Sequence, residues 1–154
     1  MHKDEFDYYI FMDYSENLIG YIIIPKERIK ELLPKIKKFK HYKGLRNKIN
    51  YLNAIKKVFE REQILNILLK HKITELRYNI EICSEIFDFC KRNINSKFFI
   101  SVDDRQFKGF MKIASIIDGR FKIIKEGKLK KDSKEYKFSL IIDTYLNLKR
   151  TGKN

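Results

Sequence analysis

The 154-residue chain contains no tryptophan, two prolines, two cysteines, three histidines and six glycines. Each scarcity removes a class of answer. No Cys-x-x-Cys pair occurs, so a thiolate zinc site has nothing to start from. Cys83 and Cys90 lie seven apart in a segment with helical spacing of apolar residues. A helix separates such residues by about 10 Å along its axis, beyond disulfide reach. They read as two reduced core thiols of a cytoplasmic protein. His2, His41 and His71 form no ligand pair at helical spacing, and Ser15, Ser101 and Ser133 have no flanking nucleophile-elbow glycines. A glycine-rich phosphate loop is also missing. No apolar run approaches the roughly 20 residues of a membrane-spanning helix, and Met1-His2-Lys3-Asp4-Glu5 lacks the apolar stretch of a signal peptide. These absences argue against a secreted or membrane-embedded protein. No repeat or linker interrupts the chain, so residues 1–150 read as one domain and 151–154 as a frayed tail.

Positive charge is abundant: 34 Lys and Arg against 20 Asp and Glu give +14. It is also segregated. Lys35, Lys37, Lys38, Lys40, Lys43, Arg46 and Lys48 fall in one stretch without an acid, whereas Asp4, Glu5, Asp7, Asp13 and Glu16 crowd the start. A basic surface of this kind attracts polyanions, because Lys and Arg on phosphate release condensed counterions. The alternative is a compositional bias toward Lys, Ile and Asn. Tyr42 and Tyr51 accompany the basic stretch, either to stack on bases or to pack.

Hydrophobic patterning predicts an α/β domain with a mixed sheet. Tyr8–Met12 and Leu18–Ile24 are β-rich runs around a polar turn, a hairpin signature. Pro25 ends the second run, and Ile29, Leu32, Leu33 and Ile36 form a helical stripe that Pro34 either kinks or restarts. Leu45, Ile49, Leu52, Ile55 and Phe59 mark a further helix. Gln63–Leu69 is ambiguous between strand and helix, with an edge strand over Arg61–Ile67 as one reading, and Ile73–Arg92 is helical in period. Lys97–Val102 is a strand, and Asp103 with Gln106 resembles a capping box ahead of the helical face of Phe107, Phe110, Ile113, Ala114 and Ile117. Phe121–Lys125 is another strand, and Asp132-Ser133-Lys134-Glu135 starts the last helix. Strands separated by helices behind an opening hairpin make a mixed sheet flanked by helices.

Carboxylates mark where chemistry would sit. Asp13 ends the first strand, Asp103 and Asp104 end a later one, and Asp143 lies in the last helix. Ligands of open α/β sheets bind beyond the carboxyl ends of strands. Carboxylates converging there hold hard divalent cations, which activate water and stabilise a leaving oxygen in phosphodiester hydrolysis. Each acid also has an ordinary reading. Asp13 makes a turn, Asp103 caps a helix, Asp104 complements its dipole, and Asp143 shares a solvated helix face with Ser139, Asn147 and Arg150.

The order of these segments resembles the RNase H-like family known as domain of unknown function 3800. Asp13-Tyr14-Ser15-Glu16 stands where the family has Asp-Glu-Ser-Gly, and His41-Tyr42-Lys43-Gly44 where it has Glu-x-Lys. Val102-Asp103-Asp104-Arg105 matches its strand ending in Asp, with Asp104 favoured because Arg105 follows. Asp132-Ser133-Lys134-Glu135 fits its lysine-rich segment, and Leu140-Ile141-Ile142-Asp143 keeps the final Asp of Gln-x-Ala-Asp. The resemblance runs over roughly residues 7–150. It implies an RNase H-like fold and a Mg²⁺- or Mn²⁺-dependent nuclease, a phosphodiesterase acting on DNA or RNA. Asp13, Asp104 and Asp143 would be its metal and catalytic residues, with Glu16, His41 and Asp103 as helpers. The seven basic residues from Lys35 to Lys48 would meet phosphates. The alternative, raised by the acids lost at Tyr14 and His41, is a catalytically inactive module that binds nucleic acid or serves in assembly.

Overall fold

The computed structural model describes residues 6–115 and 120–152. His2, Asp4, Glu5, Ile117 and the last two residues of the tail lie outside them. The chain opens with a hairpin, β1 (Tyr8–Ser15) and β2 (Leu18–Pro25). A short helix α1 (Ile29–Leu32), the long α2 (Lys48–Arg61) and a single turn α3 (Ile64–Ile67) lead to β3 (Lys70–Glu75). Then follow α4 (Asn79–Arg92), β4 (Lys97–Val102), α5 (Phe107–Ala114), β5 (Arg120–Lys125) and α6 (Lys134–Arg150).

The five strands form one mixed sheet in the order β3-β2-β1-β4-β5. β1–β2 and β2–β3 are antiparallel; β1–β4 and β4–β5 are parallel. Because side chains alternate across a strand, β1 sends Tyr9 and Phe11 to one core and Ile10 and Met12 to the other. The first core is closed by α1, α2 and α6, the second by α4 and α5. Helices therefore cover both faces of the sheet. A fully buried Phe or Ile contributes about 1.5–3 kcal/mol, and Phe11, Phe98, Phe110 and Phe138 are all at most 2% exposed. Cys83 and Cys90 are free thiols, and burial pushes Cys90 up to about 12. No helix among the described residues is long and apolar enough to cross a membrane.

Four local expectations change. Arg61–Ile67 is not an edge strand: α2 runs through Arg61 and α3 takes Ile64–Ile67. The edge strand is Lys70–Glu75, whose lysines and glutamate hide the β signal while β2 supplies its hydrogen-bonding ladder. Helix α4 accordingly begins only at Asn79. Asp103 does not cap α5, which starts at Phe107 behind Gln106; its Oδ1 instead accepts the Arg105 N–H at 2.8 Å in a local turn. β1 runs on through Asp13 to Ser15, so the hairpin turns on Glu16 and Asn17 alone rather than over residues 13–17. Pro34 follows the second of its two readings, opening a 3₁₀ turn, Leu33–Ile36, in the first-turn position where a missing N–H costs nothing.

Candidate functional site

Strand register assembles the site. Phe11 pairs with Ser101 across β1–β4, and Val102 with Lys125 across β4–β5. Carried to the strand ends, those registers align Asp13, Asp103 and Glu126 in one row over the carboxyl edges of three adjacent parallel strands. All three follow the alternation that sends Tyr9, Phe11, Phe99 and Ile124 to the α6 side of the sheet. One ligand oxygen from each of Asp13, Asp103 and Glu126 lies within 4.8 Å of the others.

The fourth acid descends from the helix above. Asp143 is 7% exposed, as is Asp13, so the polar stripe of α6 is not a solvated face. The segment around Tyr42–Gly44 folds over it, and Asp143 Oδ2 accepts the Tyr42 N–H at 2.9 Å. One turn on, Asn147 donates to the Asp143 carbonyl at 2.8 Å, and its Oδ1 accepts from Ser15 at 3.2 Å and from Arg150 Nη2 at 2.8 Å. This chain ties the end of β1 to α6. Gly20 of β2, the partner of Asp13, lets β3 and α6 come close: a Cβ there would stand 2.7 Å from the Lys72 carbonyl and 3.3 Å from Ile142 Cδ1.

The four carboxylates line one cavity of about 430 Å³, with His41, Lys43, Arg105 and Arg150 also in its wall. Desolvation, then the charges of Glu126, Asp143 and Asp103, hold the Asp13 carboxyl well above its ordinary range. The same burial, with the neighbouring acids, raises Glu126 to about 7. The two carboxyls interact, and burial favours the protonated form of both. Burial also raises Asp143 and Asp103, against the opposing Tyr42 and Arg105 N–H bonds. Acids packed this way need protons or a cation. The donors are all oxygen, as Mg²⁺ and Mn²⁺ prefer, and the residues present fit such an ion.

Of the acids expected as ligands, Asp13 and Asp143 meet in this cavity. Asp104 does not line it; its Oδ1 accepts the Gly127 N–H at 2.9 Å and it borders an adjacent cavity. Asp103, expected only as a helper, takes the clustered position. Glu16 and His41 stand in the cavity wall. Glu16 occupies the φ 55° position of the hairpin turn, where the resembled family has a glycine, and lies 3.5 Å from Arg150 Nη1. Glu126 was missed. Its signal is legible in retrospect: it directly follows a strand, as Asp103 does, but weighing it required knowing that the two strands pair in parallel.

The basic stretch divides. Lys43 reaches the cavity wall, and Lys37 lines a separate groove. Lys35 is held within 4.0 Å of Glu31 and Glu62. Lys38, Lys40, Arg46 and Lys48 are exposed, with Lys48 over the Tyr42 ring at 5.7 Å. Tyr51 is a packing residue: its hydroxyl meets Thr144 at 2.9 Å and accepts the Lys40 N–H. No protein-family model matches the chain, and no curated protein matches it.

Proposed function

We propose that the chain is an RNase H-like, divalent-metal-dependent phosphodiesterase acting on nucleic acid. The observation that carries this reading is the convergence of four carboxylates in one cavity with cations in its wall: the buried Asp13 of β1 and Asp143 of α6, and the half-buried Asp103 and Glu126 just after β4 and β5. The hairpin-led mixed sheet agrees with the resemblance read from the sequence. Asp13, Asp103 and Glu126 would hold the cation, with Asp143 beside them. A divalent ion bound there supplies Lewis-acid activation of water and of the phosphoryl oxygen.

The remaining wall residues bind and orient. Lys43 and Arg150 offer positive charge to a phosphate that the carboxylates alone would repel. Arg150 is held for this by Asn147 and Ser15, which leave its guanidinium over the Tyr42 ring at 5.5 Å. His41 presents a ring nitrogen that can position water or pass a proton. Backbone and phosphate contacts dominate such a site, so recognition follows nucleic-acid shape rather than base sequence.

Calorimetric titration of Mn²⁺ into EDTA-stripped protein tests the reading, with Asp13→Asn and Glu126→Gln beside the parent. Saturable binding, lost in both variants, together with Mn²⁺-dependent cleavage of a labelled oligonucleotide, is the expected result. Binding indifferent to both substitutions would refute the metal site. Binding without cleavage of DNA or RNA would leave the inactive nucleic-acid-binding module.

A further inference from the structure

The carboxylate cavity opens into a longer depression. A second cavity of about 530 Å³ shares His41, Asp103, Arg105 and Glu126 with it. A third, of about 630 Å³, shares Lys131 and Tyr136 with the second. The far end has a distinctive chemistry. Its floor is apolar: Pro34 is exposed and Leu33 half-buried, while Ile36 and Phe39 also line it but are buried. Four lysines, Lys30, Lys37, Lys131 and Lys137, line it and are exposed, and none has a carboxylate partner within 4.0 Å among the described residues. The half-buried Tyr136 borders both outer cavities. Three of these lysines lie outside the basic stretch visible in the sequence and reach the groove only through folding.

We infer that this groove is the binding track for a single strand of nucleic acid whose backbone runs from the carboxylate cavity toward the lysines. The inference deepens the proposed nuclease reading by naming the form of its substrate. Apolar floor and cationic rim suit unpaired bases and their phosphates together. Bases need a surface to stack or lie on, and each lysine takes a phosphate. A duplex hides its base faces and gains nothing from the floor. An acidic peptide would use the rim but leave the apolar floor unused.

The test is fluorescence anisotropy in EDTA, with fluorescein-labelled 12-mers of oligo-dT and oligo-U and a labelled 12-bp duplex. The quadruple variant Lys30→Gln/Lys37→Gln/Lys131→Gln/Lys137→Gln is compared with an equal charge change at Lys57, Lys91, Lys108 and Lys112. Loss of four phosphate contacts lowers the slope of log K against log salt by about 3. Affinity for the single strands should fall at least tenfold at 0.1 M salt in the groove variant alone. Equal losses in both quadruple variants would overturn the groove, as would parent protein that binds the duplex as tightly as the single strands. Polyglutamate that competes as well as unlabelled oligo-dT would overturn it too. Mn²⁺ calorimetry on the groove variant keeps the two readings apart. Unchanged strand binding with intact Mn²⁺-dependent cleavage removes only the groove, whereas groove-dependent strand binding without any Mn²⁺ site removes only the nuclease.

Discussion

Replacing Glu126 with Gln removes an ionisation that the fold resists. Burial among Asp103, Asp143 and Asp104 raises this carboxyl from 4.5 to about 7. Between those values the native state holds a proton that the unfolded state has released. The stability this contributes is therefore full below about pH 4.5 and is lost as pH rises through about 7. At 1.36 kcal/mol per pH unit, full ionisation costs the metal-free fold about 3 kcal/mol. In a domain of about 150 residues each kcal/mol moves Tm by roughly 2–4 °C, so the loss amounts to roughly 6–12 °C. Gln fills the same volume, can donate an amide proton toward Asp13 and never ionises. Scanning calorimetry in EDTA should give parent and Glu126→Gln similar Tm values at pH 4.5, with the variant roughly 6–12 °C above the parent at pH 8. Saturating Mn²⁺ should erase that gap by stabilising the parent, about 2.7 kcal/mol at 100 times Kd. A variant displaced from the parent by the same amount at both pH values would refute the reasoning, since its effect would then be packing rather than charge.

The site makes three further predictions. Asp103→Asn should weaken Mn²⁺ binding at least tenfold in calorimetry, whereas Asp104→Asn should leave it within twofold, because the Asp104 carboxylate is spent on the Gly127 N–H. Mn²⁺ binding at pH 6.5 should release at least one proton from the Asp13–Glu126 pair, read as a binding enthalpy that varies with the ionisation enthalpy of the buffer; a buffer-independent enthalpy contradicts protons held by the pair. Gly20→Ala should cost about 1–3 kcal/mol by overpacking, because the backbone oxygen of Lys72, at 2.7 Å from the new Cβ, has no rotamer to escape into. Urea unfolding measures that cost, and a loss under 0.5 kcal/mol would mean that β3 yields freely.

What the sequence reveals, and what it hides, both follow from the range of the interactions. The opening hairpin is local. Two β-rich runs around a polar segment specify the hairpin, though pairing continues past Met12 to Ser15 and Leu18 and shortens the turn. Strand β4 is a short apolar run with clear ends, and β5 carries Phe121, Ile123 and Ile124 between its basic residues, so they too are legible. β3 is not, because an edge strand with Lys70, Lys72 and Glu75 owes its conformation to the ladder with β2 rather than to its own composition. Asp143 fails in the opposite way. Its helical face is polar by any local measure, and its burial needs contacts distant in sequence, such as the segment around Tyr42 about a hundred positions earlier. The choice between Asp103 and Asp104 turns on a single residue of register. A one-residue slip of β4 against its neighbours would exchange their roles, since it moves every side chain to the other face. Glu126 needs two facts at once, the parallel pairing of β4 with β5 and their register. An acid placed immediately after each of two parallel-paired strands is therefore a stronger pointer to a shared site than either acid in its own segment, and here that geometry joins Glu126 to Asp103 and Asp13.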